Sequence, residues 1–151
     1  MAAIENTPRL LRERWIARLN AAPEVQALSL TFQDRPALAQ GDIDGGSRRG
    51  FVLIGEEAEV GGGLLDVELV TVIVAGAAGG TSAGKDAADL LDDARLAVLT
   101  EFRRDPEFSN LAGMGRYAGT VPLYDGEGRR FYGIKTMRFL MRIVNPISET
   151  L

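Results

Sequence analysis

The stretch LLDVELVTVIVA, residues 64–75, decides the fold class. Its alternation places Val67, Leu69, Thr71 and Ile73 on one face, and Asp66, Glu68, Val70, Val72 and Val74 on the other. A period of two, rich in β-branched residues, specifies a strand. The second face is acidic at its start and apolar at its end. Such a strand begins outside the core, or at a subunit contact, and ends inside it.

Upstream, Gly61-Gly62-Gly63 marks a hairpin turn between this strand and the apolar run Phe51-Val52-Leu53-Ile54. That run reads as a central strand and is followed by Glu56, Glu57 and Glu59. Residues 34–49 read as loop. Residues 27–33 read as a short strand, with Leu28, Leu30 and Phe32 alternating against Ser29 and Thr31. Residues 7–20 read as a helix: Thr7 suits the N-cap, Pro8 suits the first helical position, and Leu11, Trp15 and Leu19 form one apolar stripe. Ala21-Ala22-Pro23 ends it.

Downstream, residues 76–84 are small and flexible. Residues 86–104 predict a second helix, with Ala87, Leu91, Ala94, Val98 and Phe102 on one stripe. Its acidic residues come early and Arg103-Arg104 late, as the helix dipole favours. Residues 116–124 and 130–144 predict a closing strand pair, with the turn at Tyr124-Asp125-Gly126-Glu127-Gly128. In the last strand Phe131, Met137, Phe139, Met141 and Ile143 share one parity, while Arg130, Tyr132, Thr136, Arg138 and Arg142 share the other. The order α-β-β-β-α-β-β is an α+β arrangement: a mostly antiparallel sheet of four to five strands flanked by two helices. The length of 151 residues suits a single domain, 1–151, with a real core.

Composition limits the chemistry. With Cys 0 and His 0, disulfides, thiolate nucleophiles, Cys- or His-ligated metals and a Ser-His-Asp triad are all excluded. No apolar run approaches the roughly 20 residues of a membrane helix. The N-terminus has no apolar run after a basic start, so no signal peptide is expected. Net charge is −4, but unevenly spread: residues 1–18 carry +2, residues 19–101 carry −9 and residues 102–151 carry +3. An acidic centre argues against tight duplex binding along that surface. All basic residues except Lys85 and Lys135 are Arg, a residue suited to fixed partners, although codon bias produces the same enrichment.

Three motifs were candidates for chemistry. Residues 79–86, GGTSAGKD, fit G-x-x-x-x-G-K and then place Asp86 where a phosphate loop needs Ser or Thr for Mg²⁺. A flexible connection into the helix is the preferred reading. The carboxylates Glu56, Glu57, Glu59, Asp66 and Glu68 include pairs that share a strand face, but a solvated hairpin accounts for them. Arg129, Arg130, Arg138 and Arg142, with Phe131 and Tyr132, fit either nucleic acid or a protein contact. The protein contact is preferred, because the charges alternate with residues a sheet must bury.

Together, the Arg-rich first helix, the Val-rich strand 64–75, the flexible loop, the helix 86–104 and the closing hairpin ending in GIKTMRFLMRI (residues 133–143) resemble the bacteriophage tail terminator, or tail completion, proteins. Lambda-type phages, contractile-tail phages and gene transfer agents carry members of that family. The resemblance spans nearly the whole chain as architecture. It implies a homohexameric ring without catalysis or cofactor. The ring caps the tail tube, ends its polymerisation and offers a joining surface to the neck or head connector, while DNA passes through without specific binding. It implies a place in the virion tail or neck after assembly in the host cytoplasm. On that expectation Glu56, Glu57, Glu59, Asp66 and Glu68 face the lumen or tube, and Arg129, Arg130, Arg138 and Arg142 contact a neighbouring subunit or the tube. No family motif assigns these residues. The alternatives are a neck or head–tail connector (a stopper or adaptor) and a small nucleotide-binding enzyme using Lys85.

Overall fold

The structure, a computed structural model, describes residues 7–34, 48–78, 83–104, 115–127 and 130–144. Within them the order is α1 (Thr7–Ala21), α2 (Pro23–Ala27), β1 (Thr31–Gln33), β2 (Arg48–Gly61), β3 (Leu64–Ala78), α3 (Ala83–Arg104), β4 (Gly115–Glu127) and β5 (Arg130–Val144). The strands form one sheet in the order β1-β2-β3-β5-β4. All neighbours are antiparallel except β1 and β2, which are parallel. The fold is α+β, as the hydrophobic patterning predicts.

Strand β3 is the centre of the sheet, and its two parities do what the sequence implies. Val67, Leu69, Thr71 and Ile73 are buried. Leu69 and Ile73 join the main core with Leu11, Trp15 and Leu19 of α1, Leu91, Ala94, Val98 and Phe102 of α3, and Met137, Phe139 and Met141 of β5. Trp15 is the hub. Its ring meets Phe139 edge-on at 5.8 Å and Phe102 at 6.1 Å, and its indole N–H donates to the buried Thr71 hydroxyl at 3.0 Å. Phe102 and Phe139 are themselves 4.5 Å apart between centroids. A buried indole N–H and a buried hydroxyl each need a partner, and here each satisfies the other.

The opposite sheet face holds a smaller cluster of Phe51, Val72 and Val74, with Leu53, Val70 and Ile134 packed against it. Among the described residues this cluster consists of strand residues alone. The acidic-to-apolar gradient along β3 is therefore real: Asp66 and Glu68 stand at one end of this face and Val72 and Val74 at the other.

Three expectations are corrected. Residues 27–33 are not one strand. Pro23 starts the short helix α2, whose Val25 is fully buried, and Leu28-Ser29 turn the chain before the three-residue β1. Ser29 takes φ 55° there, the left-handed conformation that reverses a chain in little space. Leu30 and Phe32 are buried, but their alternation with Leu28 imitates a longer strand. The flanking helices accordingly include a short third one. Second, the predicted turn at Tyr124-Asp125-Gly126 is ladder instead. Asp125 pairs with Tyr132, Gly126 with Phe131 and Glu127 with Arg130. Residues 128 and 129 lie outside the described residues. Third, β2 begins at Arg48, inside the expected loop, and α3 begins at Ala83, earlier than expected.

The glycine turn holds. Gly61, Gly62 and Gly63 have φ of 82°, 61° and 75°, a run that side chains would oppose. At the far edge, Asn20 of α1 clamps β1: its amide donates to the Phe32 carbonyl at 2.9 Å, and its side-chain oxygen accepts from the Phe32 N–H at 2.8 Å. Arg12 donates to the Val52 carbonyl at 2.6 Å and pairs with Asp34, holding α1 to the start of β2.

Candidate assembly surfaces

The charged residues singled out by sequence fall into two groups once the strands are in register. Asp66 lies directly opposite Arg142, and Val70 opposite Arg138, which brings Glu68 diagonally beside Arg138. Arg142 holds Asp66 with both ends of its fork, at 2.8 and 3.1 Å. The Arg138 Nε donates to Glu68 at 3.0 Å. Thus Asp66 and Glu68 are not a carboxylate pair standing by themselves. They are cross-strand partners of Arg142 and Arg138 in the same chain. Arg116 of β4 adds its attraction to Asp66, and Glu56 adds its own to Arg138.

Depth decides what this face presents. The side chains of Glu68 and Asp66 are 12% and 29% exposed, against 45% and 42% for Arg138 and Arg142. The carboxylates are recessed and the guanidinium groups stand outward. With exposed Arg116 beside them, the surface is cationic despite its internal pairing.

The other group lies on β2. A bulge between Ile54 and Glu57 shifts the register, so that Ile54 opposes Leu69 but Glu57 opposes Val67. Glu57 and Glu59 consequently stand level with Val67 and Leu65, on the opposite parity from Asp66 and Glu68. Glu56, Glu57 and Glu59 are all exposed. Gly55 fits the bulge because any Cβ there would sit 2.5 Å from the Glu68 carboxylate.

Arg130 is placed at the start of β5 opposite Glu127 and Ala78. Arg129 lies outside the described residues, as do residues 79–82 of the phosphate-loop candidate. Lys85 falls in the first turn of α3. Among the described residues no group of three or more His, Cys, Asp or Glu could hold a metal ion. No helix of the described chain is long and apolar enough to cross a membrane.

Sequence reading missed three features. Arg116 belongs to the basic C-terminal segment but has no pattern of its own. Val121 and Leu123 on β4 are 61% and 56% exposed, though apolar. Lys135 is buried on the helix-covered face and pairs with Asp92 of α3. Its odd number, shared with Met137 and Phe139, was the available signal.

The Asp66–Arg142 bond gives a pH prediction. The Arg142 hydrogen bond lowers the Asp66 pKa below its ordinary 3.8. A depressed carboxylate stabilises the fold above its unfolded pKa, and that stability is lost as pH falls through the lower folded value. Thermal unfolding scanned through this acid range should show a steeper loss in the parent than in Asp66→Asn. The difference is small, because the pair lies at the surface in contact with solvent. Identical acid slopes would contradict it.

No protein-family model matches the chain, and no curated protein matches it either.

Proposed function

We propose that this chain is a structural protein of a phage virion, a tail terminator. In this reading it caps the tail tube as a homohexameric ring, ends tube polymerisation and forms the joining surface for the neck or head connector, with DNA passing through the ring. Its partners are copies of itself, the tail tube protein and the connector. No catalytic step and no cofactor belong to the reading.

The α+β architecture and the closing β4–β5 hairpin support it. One observation carries it: Arg138 with Glu68 and Arg142 with Asp66 form guanidinium–carboxylate pairs side by side on an exposed sheet face. Such pairs exchange no proton near neutral pH, so they are poorly suited to acid–base catalysis and well suited to directional docking.

The test is light scattering with negative-stain microscopy of the full chain, alone and mixed with its tail tube protein. Six-fold rings, free or at tube ends with shortened tubes, are the expected result. Tubes that elongate unchanged and carry no ring would refute the reading. Saturable nucleotide binding abolished by Lys85→Ala would replace it with the enzymatic alternative.

A further inference from the structure

We infer that the cationic face of β4 and β5 in one copy receives the acidic outer edge of β2 from a second copy, head to tail. The inference rests on the self-assembling reading above and specifies its interface.

The two surfaces lie on opposite margins of one sheet, since β2 is near one end of the strand order and β4 is the other end. On the β2 margin, β1 pairs only with Arg49, Gly50 and Phe51. From residue 53 to residue 61, the outer side of β2 has no strand partner among the described residues. This margin exposes Glu56, Glu57 and Glu59, and Val60 is 41% exposed between them and the glycine turn.

On the other margin Val121 and Leu123 are exposed, and the register sets them against Thr136 and Ile134. Through Ile134 they continue the apolar cluster of Phe51, Val72 and Val74 out to the sheet's edge. Further along the same face the register places Arg138 opposite Gly119 and Arg116 opposite Leu140, with Arg142 two residues beyond. An exposed apolar strip that continues into arginines has the composition of a protein interface.

The surfaces match in kind: an exposed valine with Glu57 and Glu59 on one margin, an exposed valine and leucine leading into arginines on the other. Like-charge repulsion disfavours either surface meeting itself. Each copy therefore uses a different surface to each side, a heterologous contact that closes into a ring when the rotation allows. The contact is made by side chains more than by a continuous ladder. Pro122 lies between the two exposed residues and removes a backbone donor from β4. That favours one docked position over indiscriminate strand addition.

The chain has no cysteine, so single thiols report cleanly. Val60→Cys and Val121→Cys are made separately in the full chain, and a short bismaleimide is applied to each alone and to their mixture. Adducts in the mixture but in neither variant alone are expected. Adducts formed by Val121→Cys alone would show β4 meeting β4 and overturn the inference. Rings that form without the mixed adduct would also overturn it, while leaving the terminator reading intact. The mixed adduct in open chains, with no ring on or off the tube, would support the interface and refute the terminator reading. Neither ring nor adduct would end both. Charge reversal supplies an independent measure: Glu57→Arg and Arg116→Glu should each weaken self-association by about tenfold, and combining them should restore part of it. Additive losses would count against the pairing.

Discussion

Trp15→Ala is expected to destabilise the fold by about 3–5 kcal/mol, the cost of removing a large aromatic from a packed core. The side chain is fully buried and its ring contacts both Phe102 and Phe139. Three separately formed elements, α1, α3 and β5, meet on it. Truncation also strands the Thr71 hydroxyl, which has lost the indole donor 3.0 Å away. For a chain of this length the change lowers Tm by on the order of 10 °C. Trp15→Phe keeps an aromatic ring but no N–H, so it should cost less, about 1–3 kcal/mol. Chemical denaturation of the three proteins gives the ordering. Equal stabilities of Trp15→Ala and the parent would mean that the aromatic hub does not hold the helices to the sheet.

Gly50→Val should follow, at about 2–3 kcal/mol, through overpacking instead of a cavity. A Cβ at position 50 would lie 2.4 Å from two ring carbons of Phe32. Phe32 is 2% exposed and its main chain is held by Asn20, so the ring has nowhere to retreat. The glycine thus lets β1 lie close beside β2 with its aromatic residue folded across the strand. Combining Gly50→Ala with Phe32→Leu, which shortens the obstructing side chain, should cost less than the two single changes added together. Strict additivity would show that the close approach is not what makes glycine necessary.

The parts of this fold legible in the sequence are those where a single period dominates. The β3 parity, the α1 stripe through Leu11, Trp15 and Leu19, and the α3 stripe through Leu91 and Phe102 each repeat one burial requirement along one element. The glycine turn was legible because three consecutive positive φ angles leave little choice of residue. Short-range competition hid the rest. Between Pro23 and Leu30 the chain needs a helical turn, a reversal and the start of a strand, and no period survives over so few residues. The charged surfaces were legible only as composition. Asp66 and Glu68 were visible as one acidic group and Arg138 and Arg142 as one basic group. That they are partners depends on the register between β3 and β5, which is set by packing across the whole sheet. The bulge after Ile54 has the same character: one extra residue moves Glu57 and Glu59 to the other side of β2, and nothing in the glutamate spacing announces it.

The clamp of Asn20 on Phe32 bears on what the border of the sheet offers to other polypeptides. An amide that takes both the N–H and the carbonyl of one strand residue imitates an adjoining peptide, so the site an intruding segment would need is already filled. With Pro122 on the far border, these two positions discourage the runaway stacking that ends in fibrils. At these two places another polypeptide meets a backbone donor that is already satisfied or missing, and cannot extend the ladder residue for residue.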